Sequence, residues 1–208
     1  MANQDLSQRI MLAALDQFGR LGFDAASTRD IAKASGVAMS SITYHFGGKQ
    51  GLYLACADHI AVVIGGVHAP LMEALKAYPP ETVEAAREGV LALLENFARF
   101  MLAPESQIHC QFIVREQQHP TEAFERIYEH VMRPVLETAT ALLAIALPDR
   151  DERARRALVT NLIGMSIVLR IARATVARVM QVDDIDEPTG ALLIATLRAS
   201  AQTLLTQE

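Results

Sequence analysis

Residues 27–49 read STRDIAKASGVAMSSITYHFGGK, and this segment contains two short helical patterns separated by a glycine turn. Ser27 with Asp30 three residues later is a capping-box-like start, because a hydroxyl accepts an orphan N–H and a carboxylate favours the first turn. Gly36 stands where a helix end needs a left-handed residue, which glycine adopts at little cost. Ile42 is the apolar anchor of the second pattern. Two short helices around a glycine turn predict a helix-turn-helix.

Hydroxyl and imidazole groups surround Ile42 at a density that is unusual for a buried helix. Such side chains can contact phosphates or base edges in a major groove. Lys49 follows the Gly47-Gly48 turn, where its charge would join helix N-terminal amides against a phosphate. The predicted DNA-facing residues are Thr28, Arg29, Ser40, Ser41, Thr43, Tyr44, His45 and Lys49. The alternative is a surface helical hairpin whose polar face meets only water, because helix-turn-helix patterns are short and give false positives.

This segment, with the helical pattern before it, resembles the N-terminal domain of the tetracycline-repressor (TetR) family. The matching residues are Thr28, Ile31-Ala32, Gly36-Val37, His45-Phe46 and Lys49. One position departs from the family pattern, since Thr43 stands where a tyrosine is common and Tyr44 follows it. The resemblance covers about the first 55 residues. Residues 115–137 also resemble the C-terminal domain of the CerR-like branch of the same family.

The resemblance implies an all-α fold with two parts. The first is a three-helix helix-turn-helix DNA-binding domain at residues 1–50, and the second is a helical effector-binding and dimerisation domain at residues 51–208. The expected function is a homodimeric transcriptional repressor that binds a pseudo-palindromic double-stranded DNA and responds to a small-molecule effector. The alternative is a small-molecule-binding helical protein, or an enzyme, in which the helix-turn-helix is incidental.

Composition agrees with a packed helical protein in the cytoplasm. Hydrophobic residues make up 51% of the 208 residues, aromatic residues 5%, and the formal net charge is −5. Residues 1–60 carry five acidic and five basic residues, so the negative charge lies in the remainder. A neutral head on an acidic body is typical of a protein that presents only its head to DNA.

We expect the two cysteines to be buried free thiols, and polar residues near the N-terminus argue against a signal peptide. No membrane partner is expected.

Hydrophobic periodicity predicts helices throughout the rest of the chain. Leu6, Ile10, Ala14 and Phe18 form one stripe of a first helix that ends at Gly22. Pro134 should break the long helix in which it lies. The predicted helices cover about residues 5–21, 52–67, 81–102, 105–117, 121–147, 152–181 and 187–206.

The last two predicted helices carry enough apolar surface to meet a twofold copy in a four-helix dimer interface. The predicted interface residues are Leu162, Leu169, Leu193 and Leu197. The alternative is that the body of one chain already buries both helices.

Catalytic motifs are missing from the sequence: it has no GxSxG, HExxH or GxxxxGK[ST] pattern. The six histidines lack tight ligand spacing with the cysteines. We therefore predict no enzymatic activity, no cofactor and no metal site.

An effector pocket is expected where aromatic and sulfur-containing side chains meet a few polar groups. The predicted residues are Phe97, Phe100, Met101, Phe112, Arg115 and Met165. The alternative is that these side chains are plain core. The sequence leaves open whether Arg115, Arg170 and Arg173 bind a ligand or form structural ion pairs.

Overall fold

The structure is a computed structural model that describes residues 2–206, with side chains described from Leu6 onward. The described residues form helices and no strand, so the predicted all-α class is confirmed. The helices are α1 (Ala2–Ala25), α2 (Thr28–Ser35), α3 (Met39–Phe46), α4 (Lys49–Ala77), α5 (Val83–Leu102), α6 (Ser106–Gln118), α7 (Glu122–Ile127), α8 (Arg133–Ala146), α9 (Glu152–Ile171), α10 (Arg173–Met180) and α11 (Glu187–Thr206). A π-helical turn, Tyr128–Met132, joins α7 to α8.

The chain divides into two compact units. The first unit contains residues 1–65 and 107–131, and the second contains residues 66–106 and 132–208. We call them the head and the body. The head is therefore larger than the predicted 1–50 domain, because α6 and α7 pack with it. The division of function at residue 50 stays a prediction.

The head is built on the predicted stripe of α1. Ile10, Ala14 and Phe18 are fully buried, and Ile31 of α2 and Ile42 of α3 join them in one core. Gly22 has a φ of 81° and interrupts the helix near its end, as the sequence predicted. Phe23 beyond this kink lies with its ring 6.3 Å from the ring of Phe18. The kink thus turns the chain back onto the core before α2 begins.

Close packing of α6 on α1 explains why the head exceeds residue 50. A Cβ placed on Gly19 would lie 3.2 Å from Cβ of Gln111, so the two helices approach closely at this point. Phe112 is almost fully buried, and its ring lies 4.7 Å from that of Tyr53 at the start of α4. A local sequence pattern does not reveal which distant helix a buried face meets.

Helix α4 runs ten residues beyond its predicted end near Val67. It passes through Gly65, Gly66 and Pro70 without a break, although proline removes one main-chain donor from a helix. Within the described part of the chain, α4 is the one single helix long and apolar enough to cross a membrane, and 44% of its apolar window is buried inside the protein.

In the body, α5 lies at the centre and packs against α8, α9 and α11. Gly89 allows this packing, because a Cβ there would lie 3.2 and 3.3 Å from the two terminal methyls of Leu142 in α8. Pro134 falls in the first turn of α8, so the predicted break at this proline is confirmed.

The predicted single helix over residues 152–181 is wrong. Helix α9 ends at Ile171, Ala172 leaves the helical conformation, and α10 continues at an angle of 85° to α9. No glycine or proline marks this bend. Arg170, just before the bend, makes a tertiary contact with the end of α5. Its guanidinium donates to the carbonyls of Met101 and Ala103 at 2.7 and 2.6 Å.

Candidate nucleic-acid interface

The turn between α2 and α3 is closed by local hydrogen bonds. The hydroxyl of Ser27 accepts from the backbone N–H of Arg29 at 3.2 Å, which caps the start of α2 as expected. Gly36 adopts a left-handed φ of 67°, and its N–H donates to the carbonyls of Ala32 and Lys33. Arg9 of α1 donates to the carbonyl of Ser35 and neutralises the same helix end. These contacts fix the angle at which α3 leaves the turn.

Helix α3 has one face turned inward and one turned outward. Ile42 is 1% exposed and anchors the helix in the head core. The outward face carries Met39, Ser40, Thr43 and Tyr44, of which Tyr44 is 84% exposed. Because this face is free of acidic residues and rich in hydroxyls, it is suited to enter a DNA groove.

Seven of the eight predicted DNA-facing residues lie on two neighbouring elements of the head. Thr28 and Arg29 begin α2, and the other five lie along α3, where Ser41 and His45 are half-buried. The rings of Tyr44 and His45 meet edge to face at 5.0 Å. Their direct contact with DNA stays a prediction.

Lys49, the eighth predicted residue, makes contacts within the head. Its ammonium donates to the carbonyl of Asp24 at 3.1 Å and lies 4.7 Å from the centre of the Phe23 ring. A cation there neutralises the carbonyl end of α1 and makes a cation–π contact. This second role was not predicted, because both partners come from the end of α1.

We expect Lys49→Ala to weaken binding to operator and random DNA alike, and to lower the slope of log affinity against log salt by about one. Loss of the contacts with Asp24 and Phe23 should also destabilise the head by about 1 kcal/mol. Salt titrations of binding and urea unfolding of the same variant measure the two effects. An unchanged salt slope with a lowered stability would leave Lys49 with a structural role alone.

Sequence reasoning missed two residues of this site. Met39 is 55% exposed at the first position of α3, although methionine is an apolar residue expected inside. Gly51 lies in the first turn of α4, and a Cβ there would come within 1.8 Å of the Phe46 carbonyl oxygen. The exposure of Met39 could have been predicted only from its position around the helix relative to Ile42. The close approach of Gly51 to Phe46 depends on the three-dimensional turn and has no signal in the sequence.

Arg115 and Glu116, at the end of α6, hold the two helices that flank the helix-turn-helix. Arg115 donates to the carbonyl of Gly19 at 2.8 Å and to that of Arg20, beside the kink in α1. Glu116 is 2% exposed and accepts from the Tyr53 hydroxyl of α4. Burial and this carboxylate raise the pKa of Tyr53. The adjacent pair therefore fixes α1 and α4 against α6.

The arginines left open by the sequence have mostly backbone partners. Arg115 and Arg170 donate to carbonyls near the ends of α1 and α5, which is a helix-capping role and neither a ligand contact nor an ion pair. Arg173 pairs with Asp184 at 2.8 Å and also donates to the carbonyl of Ile185. The contacts of these three arginines support structural roles and not ligand binding.

The six predicted pocket residues divide between the two units. Phe112 and Arg115 belong to the head, where Phe112 packs on Tyr53. Phe97, Phe100, Met101 and Met165 belong to the body. The body also holds a partly buried polar pair that was not predicted, in which His68 of α4 hydrogen-bonds Asn96 of α5. The ring of His68 lies 6.2 Å from that of Phe97 and 6.1 Å from that of Phe100. Burial lowers the pKa of His68 from its usual value of 6.5.

A separate apolar groove lies in the body where the end of α4 meets α8. Its volume is about 450 Å³, and Glu73, Lys76 and Thr138 are its polar lining residues. Leu75 and Leu142 also line the groove, and a Cβ on Gly89 would lie 3.2–3.3 Å from their terminal methyls. Pro79 and Pro80, which follow the end of α4, also line the groove.

The predicted dimer residues face inward in most cases. Leu162, Leu169 and Leu197 are 3, 4 and 6% exposed within the single chain, and Leu193 is half-buried. The interface assignment of the three buried leucines is therefore corrected, because the body's own core already covers them. The exposed face of α9 instead carries Asn161, Gly164, Val168 and Ile171.

A capped helix-turn-helix in a helical head, with a polar face on its second helix, defines a DNA-binding protein. Residues 10–56 match the family described as bacterial regulatory proteins, tetR family. Residues 86–206 match the family described as HTH-type transcriptional dual regulator CecR, C-terminal domain, which identifies the branch.

Known proteins agree with these matches along most of the chain. The HTH-type transcriptional dual regulator CecR of Shigella flexneri is 35% identical over 177 residues, which cover 83% of this chain and 79% of the relative. A TetR-like transcriptional regulator from Rhodococcus sp. RHA1 has a TM-score of 0.67 at 19% identity, with 97% of both chains covered. FadR from Bacillus subtilis, solved in complex with stearoyl-CoA, has a TM-score of 0.62 at 19% identity. The match covers 96% of this chain and 97% of the FadR chain.

The chain belongs to the TetR family of transcriptional regulators. Its family and relatives are regulators of transcription and not enzymes. The recognition made from residues 27–49 is confirmed.

Proposed function

We propose that this protein is a cytoplasmic, homodimeric, ligand-responsive repressor that binds a pseudo-palindromic operator through α3 of each head. The observation that carries the proposal is the outward face of α3, which is held in place by Ile42 on its inward face. Two such helices, related by a twofold axis, would enter successive major-groove faces of the duplex. The DNA-facing residues are those predicted from the sequence, with Met39 added.

The proposed dimer surface is the exposed side of α9 and α11. Asn161, Gly164, Val168 and Ile171 recur at spacings of three and four, which is the pattern of a helix seam that meets another helix. In the single chain, Val168 and Ile171 of α9 are 44% and 59% exposed, and Leu192 of α11 is 57% exposed. Covering these apolar side chains with a second copy would remove them from water.

Val168→Asp should convert the dimer into a folded monomer, because it places a charge in the proposed seam without entering the core of one chain. The measurement is mass in solution at micromolar concentration, with helicity from circular dichroism. Operator affinity should fall as well, since each head then binds one half-site alone.

The neighbouring substitution Leu169→Asp is the matched control. Leu169 is buried within the chain, so an unpaired charge there should cost several kcal/mol and unfold the body. A wild-type protein that runs as a monomer at micromolar concentration would contradict both the dimer and the two-head operator.

The proposed effector site is the part of the body around His68, Phe97, Phe100 and Met101, with Met165 from α9. The rings of Phe97 and Phe100 lie near the His68–Asn96 pair, and a mostly apolar environment with a few polar groups is what ligand sites require. Met101 and Met165 are included as the residues predicted from the sequence. FadR of B. subtilis shows that the fold is found in a complex with an acyl-CoA. Phe112 and Arg115 are left out of this site because their contacts support the head.

An effector releases DNA only if it binds one of two conformations more tightly. A coupling of about 1–3 kcal/mol changes DNA affinity by about 5–150-fold. Because α4 contributes residues to both head and body, it is the helix through which we expect that coupling to pass.

The test of the proposed function is selection of binding sites from random duplex DNA with the full-length protein, followed by gel shift with a random-sequence competitor. We expect one enriched sequence with twofold symmetry. A reporter under that sequence should lose expression when the protein is present, and a gain would indicate activation, as the name of the Shigella dual regulator allows. Stearoyl-CoA is the first effector probe. Failure to enrich any sequence would overturn the DNA-binding role.

A further inference from the structure

We propose that Met39 determines operator specificity by contacting the 5-methyl group of a thymine, so that each half-site carries a thymine at this point. The inference rests on the proposed function and names the base that α3 reads. Two features of α3 carry it: the residue types that usually make bidentate base contacts are absent, and Met39 is exposed at its first position.

The eight residues of α3, MSSITYHF, contain no lysine, arginine, asparagine, glutamine, aspartate or glutamate. The strongest base contacts in a major groove are bidentate, from arginine or lysine to guanine and from asparagine or glutamine to adenine. None of these side chains is present on this helix. Discrimination by α3 must therefore use hydroxyls, the His45 imidazole, the aromatic rings and apolar contacts.

Met39 is the aliphatic side chain that α3 exposes. It occupies the first helical position after Ala38 and is 55% exposed, whereas Ile42 is 1% exposed. The N-terminal residues of a recognition helix are the ones that contact base edges. Thymine is the base that presents a methyl group in the major groove, and apolar side chains select it by contact with that methyl.

The thioether adds adaptability to this contact. Methionine is unbranched and polarizable, so it can follow the shape of a groove better than a β-branched side chain. The exposed neighbours Ser40 and Thr43 present hydroxyls beside it, which can accept or donate to adjacent bases or phosphates. A thymine flanked by hydroxyl contacts is the half-site that this face recognises.

The experiment replaces each thymine of the selected operator by uracil, one position at a time, which removes the methyl group and leaves the pairing edge unchanged. Binding of wild type, Met39→Ala and Met39→Leu is measured at one salt concentration. We expect one uracil position per half-site to weaken wild-type binding about fourfold, the change expected for burial of a single methyl-sized group. Met39→Leu should keep this loss, and Met39→Ala should abolish it.

Leu12→Ala is the matched control, because Leu12 is also an exposed apolar residue of the head but lies on α1. Its uracil profile should equal that of the wild type. The inference is overturned if the same uracil positions weaken Met39→Ala as much as wild type, or if the enriched half-site has no thymine whose methyl matters. Either result leaves the DNA-binding function standing, whereas the absence of any enriched sequence removes that function instead.

Discussion

Gly51→Ala should destabilise the head by at least about 2 kcal/mol and abolish specific DNA binding. Helix α3 ends at Phe46, and only Gly47 and Gly48 join it to α4. A methyl group on residue 51 would lie 1.8 Å from the Phe46 carbonyl oxygen, which belongs to rigid main chain. The end of α3 would have to move, and the recognition face would move with it. Urea unfolding and gel shift with the selected operator measure the two losses.

Gly65→Ala is the control for this prediction. Gly65 lies in the same helix, and a Cβ there would meet no atom within 4 Å. Alanine is favoured over glycine in a helix by up to about 1 kcal/mol, so this variant should be slightly more stable than wild type. Equal stability of Gly51→Ala and wild type would show that the turn can open without cost, and that the close approach is not needed.

The helix-turn-helix was predictable from the sequence because its signals are local. Ser27 caps the helix that follows it, Gly36 ends that helix, and Ile42 is the apolar residue of the next. Each property depends on residues within a few positions. The proline signal at Pro134 was local as well, and it marked the start of α8 correctly.

Tertiary placement was not predictable in the same way. Leu162, Leu169 and Leu197 have the spacing of an interface, but spacing does not tell whether a helix buries that face in its own chain or in a partner. The answer depends on α5, which is distant in sequence and lies at the centre of the body. The bend at Ala172 was missed for a related reason, since the contacts beside it are made by Arg170 to carbonyls of α5.

The candidate site shows the same limit in its polar groups. A charged residue within an apolar helix was expected to meet a ligand or an opposite charge, but Arg115 meets the carbonyl oxygens of Gly19 and Arg20. Main-chain acceptors at helix ends leave no trace in the sequence. The next residue, Glu116, satisfies main-chain donors in the complementary way, so the two side chains serve opposite ends of helices.

Glu116→Ala should destabilise the head by about 3 kcal/mol or more, the second large effect that the structure predicts. The carboxylate accepts from the Tyr53 hydroxyl, from the N–H of Thr121 at 3.1 Å and from the N–H of Phe124 at 2.9 Å. Removing it leaves these partly or fully buried donors without their acceptor, and each unsatisfied donor costs about 1–3 kcal/mol. Urea unfolding measures the loss, and gel shift shows whether α4 still supports the DNA-binding geometry.

Tyr53→Phe separates the two halves of this network. It removes one donor but leaves the carboxylate bound to the start of α7, so we expect a smaller loss, of about 1 kcal/mol. Together with Glu116→Ala it forms a double-mutant cycle, in which the coupling between Tyr53 and Glu116 should be clearly non-zero because the two groups are in direct contact. Gln118→Ala, an exposed substitution at the end of the same helix, should change stability by less than about 0.5 kcal/mol. If Glu116→Ala were as mild as Gln118→Ala, the buried carboxylate would not be what joins α6 to α4, and the support of the recognition helix would have to come from apolar packing of Phe112 on Tyr53 alone.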